Sequence, residues 1–190
     1  MTLGDSDSDE TLAARAAQGD RMAFERIVQR HKTQLFQFVR RYVGQSDDAY
    51  DVLQDTFLAA WSAAPRYDPS RSFSPWLRTI ALNKCRDFGR RQAVRRLLLR
   101  ARAAEPNHVP GEWDITDDQA NAEANRLNRL DKAIAALPAF YKEPLLLTSV
   151  SGLSHQEAAE TLKTTAKAVE MRVYRARRKL FAALGSDEEG

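Results

Sequence analysis

The stretch SHQEAAETLKTTAKAVEMRVYRARRKL, residues 154–180, constrains the fold of this chain more than any other. Ser154 and Glu157 have the spacing of a capping box, which predicts that a helix begins here. The helix pattern breaks at Lys163, and the hydroxyl groups of Thr164 and Thr165 can cap a second helix. The stretch therefore predicts two helices joined by a tight turn.

The second of these helices is amphipathic and strongly basic. Its apolar stripe consists of Ala166, Val169, Val173, Ala176 and Leu180. The opposite face carries Lys167, Glu170, Met171, Tyr174, Arg175 and Arg178. Residues 163–179 contain seven basic residues and one acid. A positive helix held against another helix suits the DNA major groove, and a solvated basic helix that closes a bundle remains the alternative.

Charge is unevenly distributed along the chain. The net charge is only +3 over 190 residues, yet residues 84–102 hold eight bases and one acid, and residues 105–131 hold seven acids and two bases. The length allows one large domain or two small ones, each able to bury a core. Local charge blocks therefore say more about partners than the total does.

Several classes of site find no support in the sequence. Cys85 is the only cysteine, and the three histidines are far apart, so no metal-binding spacing occurs. No apolar run reaches the roughly 18 residues that a membrane helix needs. We expect no metal, no cofactor, no catalytic site and no membrane insertion, and a cytoplasmic location.

The first half of the chain predicts successive helices after an acidic, mobile tail over residues 1–10. The expected helices cover 11–17, 21–43 and 46–63, followed by one that begins near Pro75 with Ser74 as a possible cap.

The helix over 46–63 carries a row of carboxylates. Asp48, Asp51 and Asp55 lie on one face at i, i+3 and i+7. Acids near a helix start can simply complement its dipole, but Asp55 lies beyond the first turn. The row favours docking to a basic protein surface.

The following loop and helix combine aromatic and basic residues. Pro65 and Pro69 exclude regular helix from a loop that also contains Tyr67 and Phe73. The next helix offers a polar outer face of Arg78, Asn83, Arg86, Asp87, Arg90 and Arg91. Rings that stack on bases, beside groups that neutralise phosphates, are typical of single-stranded nucleic-acid sites. We predict that Trp76 and Phe88 are buried and that Tyr67 faces a ligand.

The second half predicts a linker over residues 99–125 and a further group of helices. Leu127, Leu130, Ile134 and Leu137 form one apolar stripe, which Pro138 ends. An apolar helix over 140–150 follows, and no segment alternates as a strand does. The fold class is therefore all-α, with two small helical domains over 11–98 and 126–184, a flexible linker between them and an acidic tail over 185–190.

Three stretches in this order resemble bacterial sigma factors of the sigma-70 family, in the small extracytoplasmic-function (ECF) group that has only regions two and four. They are DDAYDVLQDTFLAAW (47–61), FSPWLRTIALNKCRDF (73–88) and residues 137–180, which end with the helix-turn-helix. They are similar to the family's polymerase-binding helix, its melting and minus-ten-reading helix, and its minus-thirty-five-reading module.

The resemblance implies a role for each group. The β′ clamp helices of core RNA polymerase would meet Asp48, Asp51, Gln54 and Asp55. The minus-ten promoter strand would meet Tyr67, Phe73, Trp76, Arg78, Asn83, Arg86, Asp87, Arg90 and Arg91. The minus-thirty-five element would meet Thr165, Lys167, Glu170, Met171, Arg172, Arg175 and Arg178. The resemblance also implies that region four contacts the polymerase β flap and that an anti-sigma factor holds the protein inactive.

Two residues depart from the family pattern. Lys163 stands where a glycine often makes the turn, and it is strained if the turn needs positive φ. Pro144 would interrupt the helix over 140–150 unless it falls in a first turn. The alternative function is a stand-alone helix-turn-helix regulator that binds operators without polymerase.

Overall fold

The computed structural model describes residues 7–102 and 122–185, which form α-helices and one short 3₁₀ helix, Ala64–Arg66. The α-helices are α1 (Asp9–Ala17), α2 (Arg21–Val43), α3 (Ser46–Ala63), α4 (Phe73–Arg102), α5 (Ala122–Ala136), α6 (Ala139–Ser149), α7 (His155–Leu162) and α8 (Ala166–Gly185). No strand occurs in these two ranges, which confirms the all-α prediction. Most of each predicted tail (1–10 and 185–190) lies outside the described residues. The same is true of most of the predicted linker (99–125).

Side-chain caps set where the first helices begin. Ser8 accepts a hydrogen bond from the backbone of Thr11, so α1 begins at Asp9, two residues earlier than predicted. Asp20 caps α2, which ends at Gly44 in the left-handed conformation (φ 89°). The predicted bounds of α2 and α3 are confirmed.

Helix α4 differs from its predicted bounds at both ends. It begins at Phe73 rather than Pro75 and continues to Arg102, into the stretch predicted as linker. The Glu10 carboxylate accepts a hydrogen bond from the Phe73 backbone N–H at 3.1 Å. The Glu10 side chain, far away in the sequence, therefore provides the hydrogen-bond acceptor for a backbone N–H of the first turn. Ser74 was the residue expected to cap this turn.

The first domain, α1–α4, is built around α2, which packs against each of the other three helices. Its fully buried side chains include Leu12, Ile27, Leu35, Phe38, Val39, Val52, Leu77 and Leu82. The stripe predicted along α2 is therefore the inner face of this core.

The second domain, α5–α8, packs α6 and α7 against α8. Helix α6 passes through Pro144 without a break, so the predicted interruption is wrong. Proline removes one hydrogen bond of the ladder, whereas the helix that continues past it buries Leu145, Leu146 and Leu147. We infer that this burial outweighs the lost bond.

The two domains lie against each other. Helix α2 contacts both α5 and α6, and α4 contacts α7. Helix α4, which carries most of the predicted strand-binding residues, therefore faces the second domain along part of its length.

Candidate nucleic-acid and polymerase interfaces

The helix-turn-helix of the second domain has the predicted local geometry. Ser154 Oγ accepts from the Glu157 backbone N–H at 3.2 Å, and Glu157 Oε2 accepts from the Ser154 N–H at 2.8 Å. Lys163 takes the left-handed conformation (φ 52°, ψ 52°) that ends α7. Thr165 then caps α8 by accepting from the Ala168 N–H at 3.1 Å. The capping box and the tight turn are confirmed.

Helix α8 is fixed on one side and open on the other. The predicted stripe is buried at Val169, Val173, Ala176 and Leu180, with Ala166 half-buried. The residues predicted to read DNA are exposed at Thr165, Lys167, Glu170, Met171, Arg175 and Arg178. A hydrogen bond from Lys167, at 2.9 Å, lowers the pKa of Glu170. The exposed face is therefore positive and free to meet a duplex.

Arg172 differs from its neighbours on α8. It is half-buried, and its guanidinium carbon lies 4.1 Å from the centre of the Phe140 ring. This cation–π contact ties α8 to α6, so Arg172 also supports the orientation of the helix.

The carboxylate row of α3 borders a groove of about 460 Å³ between α3 and α4. Asp51 and Gln54 are exposed, while Asp48 and Asp55 are half-buried. The opposite wall contains basic residues of α4, and Arg91 Nη2 lies 3.8 Å from Asp55 Oδ2. A partner that binds here meets acids on one wall and bases on the other.

The aromatic residues at the start of α4 form a closed cluster. The ring centroids of Tyr67, Phe73 and Trp76 lie 5.0 to 5.4 Å apart. Tyr67 is 7% exposed and donates its hydroxyl hydrogen to the Arg71 carbonyl. Burial raises the pKa of Tyr67 to about 12. The prediction that Tyr67 faces a ligand is wrong for this conformation, because the rings cover one another.

The predicted outer face of α4 is only partly exposed. Asn83, Arg90 and Arg91 are exposed, and Asp87 is half-buried and pairs with Arg90. Arg78, by contrast, is 0% exposed, and burial lowers its pKa to about 10. Its placement on the outer face was therefore wrong.

Arg86 is also not free. Its guanidinium makes two hydrogen bonds to Glu143 in α6, at 2.8 and 2.6 Å. Glu143 therefore restrains a predicted site residue, a contact that sequence reasoning missed. Only the packing of the second domain on α4 brings the two residues together, and no local pattern could have shown it.

Family models for Sigma-70 region 2 and Sigma-70 region 4 match residues 27–95 and 127–180. RNA polymerase sigma factor NccH from Alcaligenes xylosoxydans xylosoxydans is 45% identical over 192 residues, covering 98% of this chain and 100% of NccH. This chain is a sigma factor of the sigma-70 family. The match confirms the resemblance drawn from the three stretches.

The sigma factor is similar to further members of the family. ECF RNA polymerase sigma factor SigM from Mycobacterium tuberculosis is 30% identical over 94% of this chain and 85% of its own length. A solved structure of CnrH in complex with the cytosolic domain of CnrY superimposes with a TM-score of 0.71 at 36% identity, covering 95% of this chain and 99% of that one. The ECF group and the two-domain all-α fold are thereby confirmed.

The described residues of the sigma factor were also compared with the requirements of a metal site and of a membrane-spanning helix. Within residues 7–102 and 122–185, no group of three or more His, Cys, Asp or Glu side chains is placed to bind a metal ion. Over the same part of the chain, no helix is both long and apolar enough to cross a bilayer.

Proposed function

We propose that this sigma factor binds core RNA polymerase and directs it to specific promoters by reading a minus-thirty-five element and a minus-ten element. The observation that carries the proposal is the helix α8 itself, whose buried stripe is fixed on the domain and whose basic face is open. Affinity for promoter duplex on its own would be weak and salt-sensitive, since it depends largely on phosphate contacts.

In this proposal α8 enters the major groove of the upstream element. Arg175, Arg178 and Lys167 stand on its exposed face. Arginine can form two hydrogen bonds to one guanine base or can neutralise a phosphate, whereas lysine acts as a point charge. Contacts to bases would make upstream binding sequence-specific, whereas contacts to phosphates would add affinity for any sequence.

Core polymerase would dock on the carboxylate row of α3. Asp51 and Gln54 are its exposed members, and acids there suit the basic surface of the polymerase β′ clamp helices that the family resemblance implies. The second domain would contact the β flap, so that the two promoter-reading helices are held at a fixed spacing on the enzyme.

The first domain would hold the melted minus-ten strand along α4. Asn83, Arg90 and Arg91 are exposed, although Arg90 pairs with Asp87 and Arg91 with Asp55. Tyr67 would have to leave its aromatic cluster to receive a base. The binding energy of these contacts would offset the few kcal/mol that it costs to unstack each base step of the promoter DNA. We propose that it performs no covalent chemistry and is not an enzyme.

An anti-sigma protein is the proposed regulator. CnrH, which is 36% identical over 95% of this chain, forms a complex with the cytosolic domain of CnrY, so a close relative is held by a second protein. By analogy, the present sigma factor would act in the bacterial cytoplasm and be released during a stress or envelope response.

Reconstitution with bacterial core polymerase tests the proposal. Adding the full-length protein should produce transcripts with defined start sites from a library of genomic promoters, and sequencing those transcripts would identify the two elements. Absence of promoter-specific transcripts would contradict the proposal. Tight, sequence-specific duplex binding without polymerase would favour the stand-alone regulator instead.

A further inference from the structure

The end of α4 carries a group of exposed apolar side chains. Residues 93–99 are all exposed, and the four large apolar side chains among them are between 57% and 68% exposed: Val94, Leu97, Leu98 and Leu99. A single exposed leucine is ordinary on a protein surface, whereas a contiguous apolar patch marks an interaction site. This part of α4 is therefore a candidate docking surface.

Part of the patch lines a groove of about 600 Å³. The lining consists of three apolar and three basic side chains: Val94, Leu98, Leu99, Arg90, Arg91 and Arg95. Arg91, Arg95 and Leu99 follow one another at intervals of one helical turn, so charge and apolar surface lie side by side. The groove suits a segment that brings both acids and large apolar side chains.

The chain itself contains one such segment. Residues 103–121, which lie outside the described part of the chain, hold five acids and no Lys or Arg, and they include Trp113 and Ile115. The other two stretches outside the description differ in composition. Residues 1–6 hold one acid, and residues 186–190 hold three acids without a large apolar side chain. The segment between the two domains therefore matches the groove best in both charge and apolar content.

The segment also begins close to the groove. Helix α4 ends at Arg102, and a rise of 1.5 Å per residue puts that end roughly 18 Å from Arg90. The chain from Arg102 to Trp113 can span up to about 36 Å when extended. Trp113 can therefore reach any point of the groove by returning along α4. Because a short tether gives an effective concentration in the millimolar range, even a weak contact is occupied much of the time.

We propose that residues 112–118 dock in the groove at the end of α4, with Trp113 against Val94 and Leu98 and the neighbouring acids facing Arg91 and Arg95. An aromatic ring supplies a large apolar contact, and carboxylates pair well with guanidinium groups. The docked segment occupies arginines that α4 otherwise offers to the promoter strand, so it competes with DNA. That consequence rests on the function proposed above, whereas docking is a property of the free protein.

The competition sets the size of the expected effect. Docking reduces the apparent affinity of α4 for DNA by the fraction of the protein in which the groove is free. If the segment fills the groove in four-fifths of the molecules, removing it should raise the affinity about fivefold.

Fluorine NMR of the full-length protein labelled with 5-fluorotryptophan measures docking directly. The chain has three tryptophans, and Trp113→Phe identifies the resonance of Trp113. In the parent this resonance should be displaced from its position in a free peptide of residues 105–119. Leu98→Ser should move it toward the free position. Leu97→Ser, the matched control, changes an exposed leucine that does not line the groove and should leave the resonance where it was.

A second pair of variants tests the contribution of charge. Arg95 and Arg96 are both exposed, but of the two only Arg95 lines the groove. Arg95→Gln should therefore shift the Trp113 resonance toward the free position, and Arg96→Gln should shift it much less. A parent resonance at the free position, or equal shifts from Leu98→Ser and Leu97→Ser, would overturn the docking. A displaced resonance that returns to the free position on dilution would also overturn it, because the groove would then hold a second copy.

Binding of a short single-stranded DNA to the full-length protein tests the competition. Affinity should rise about fivefold when the acids of the segment become amides, in Glu112→Gln, Asp114→Asn, Asp117→Asn and Asp118→Asn combined. The same change in a Leu98→Ser background should raise it much less, since the segment is already displaced. Equal gains in both backgrounds would reject the competition and assign the effect to general charge. Docking seen by NMR in a protein that starts no specific transcripts with core polymerase would keep the docking and reject the proposed function.

Discussion

The Glu10 carboxylate of α1 accepts a hydrogen bond from the backbone N–H of Phe73, the first residue of α4, at 3.1 Å. The first helix thus caps the helix that carries the proposed strand-binding residues. Asp9, the neighbouring acid, pairs with His31 of α2 at 2.7 Å. The beginning of α1 therefore ties α2 and α4 together next to the aromatic cluster that includes Phe73.

Removing the Glu10 cap should destabilise the first domain. Glu10→Ala leaves the Phe73 N–H without its acceptor, and loss of a cap costs about 1 kcal/mol. Urea unfolding of the full-length protein would measure the change. Glu25→Ala, at an exposed position of α2, should change the free energy of unfolding by much less.

The Glu10 contribution should also depend on pH. Hydrogen bonds from its own backbone N–H and from that of Phe73 lower the pKa of Glu10 in the folded protein. A lowered folded pKa means that the stabilisation is fully present above the unfolded value, about 4.3, and is lost as the pH falls through the folded value. The stability difference between the parent and Glu10→Gln should therefore be constant near neutral pH and shrink on acidification. A difference that grew below pH 4 would contradict this assignment.

Lys163 should be a site where glycine stabilises the protein. Its φ of 52° lies in the left-handed region, which costs a residue with a Cβ roughly 1 kcal/mol. Lys163→Gly removes that strain but adds freedom to the unfolded chain, so we expect a net gain of several tenths of a kcal/mol in thermal or urea unfolding. Glu160→Gly, inside α7, is the matched control and should lose about 1 kcal/mol.

The local elements of this fold could be predicted from the sequence because short-range chemistry determines them. Ser154 and Glu157 satisfy each other, Thr165 caps α8 and Gly44 ends α2, all within a few residues. Each of these features acts on backbone groups next to it in the chain.

The conformation of the promoter-facing residues could not be predicted in the same way. Arg86 is held by Glu143, 57 residues away, and Phe73 is capped from 63 residues away. Tyr67 lies in a proline-containing loop, which favours exposure. Its ring is nevertheless covered by Phe73 and Trp76, which only the folded structure brings next to it. Sequence patterns find which face of a helix is polar, and they do not reveal whether another domain covers it.

The carboxylate row makes a prediction about polymerase binding. Asp51→Arg replaces an exposed acid at the centre of the row with a base and should weaken association with core polymerase about tenfold or more, because like charges would then face each other. Asp47→Arg makes the same charge change on an exposed position beside the row and should have a smaller effect. Affinity measured by fluorescence anisotropy, with circular dichroism to verify folding, would separate the two. Equal loss in both variants would remove the row from the interface.

The basic face of α8 makes the corresponding prediction for DNA. Arg175 is exposed and its backbone is fixed by the buried stripe, so Arg175→Ala should weaken upstream-element binding by the polymerase complex without unfolding the domain. If Arg175 neutralises a phosphate, the slope of log affinity against log salt should fall by about 1 for every promoter alike. If it reads a base, the loss should be about 1 to 3 kcal/mol on the preferred sequence and near zero on sequences altered at that position. Arg177→Ala is the matched control, because Arg177 points to Ser149 at 3.4 Å and lies away from the Arg175 face. A loss with Arg177→Ala as large as with Arg175→Ala would mean that general charge, rather than this face of α8, holds the duplex.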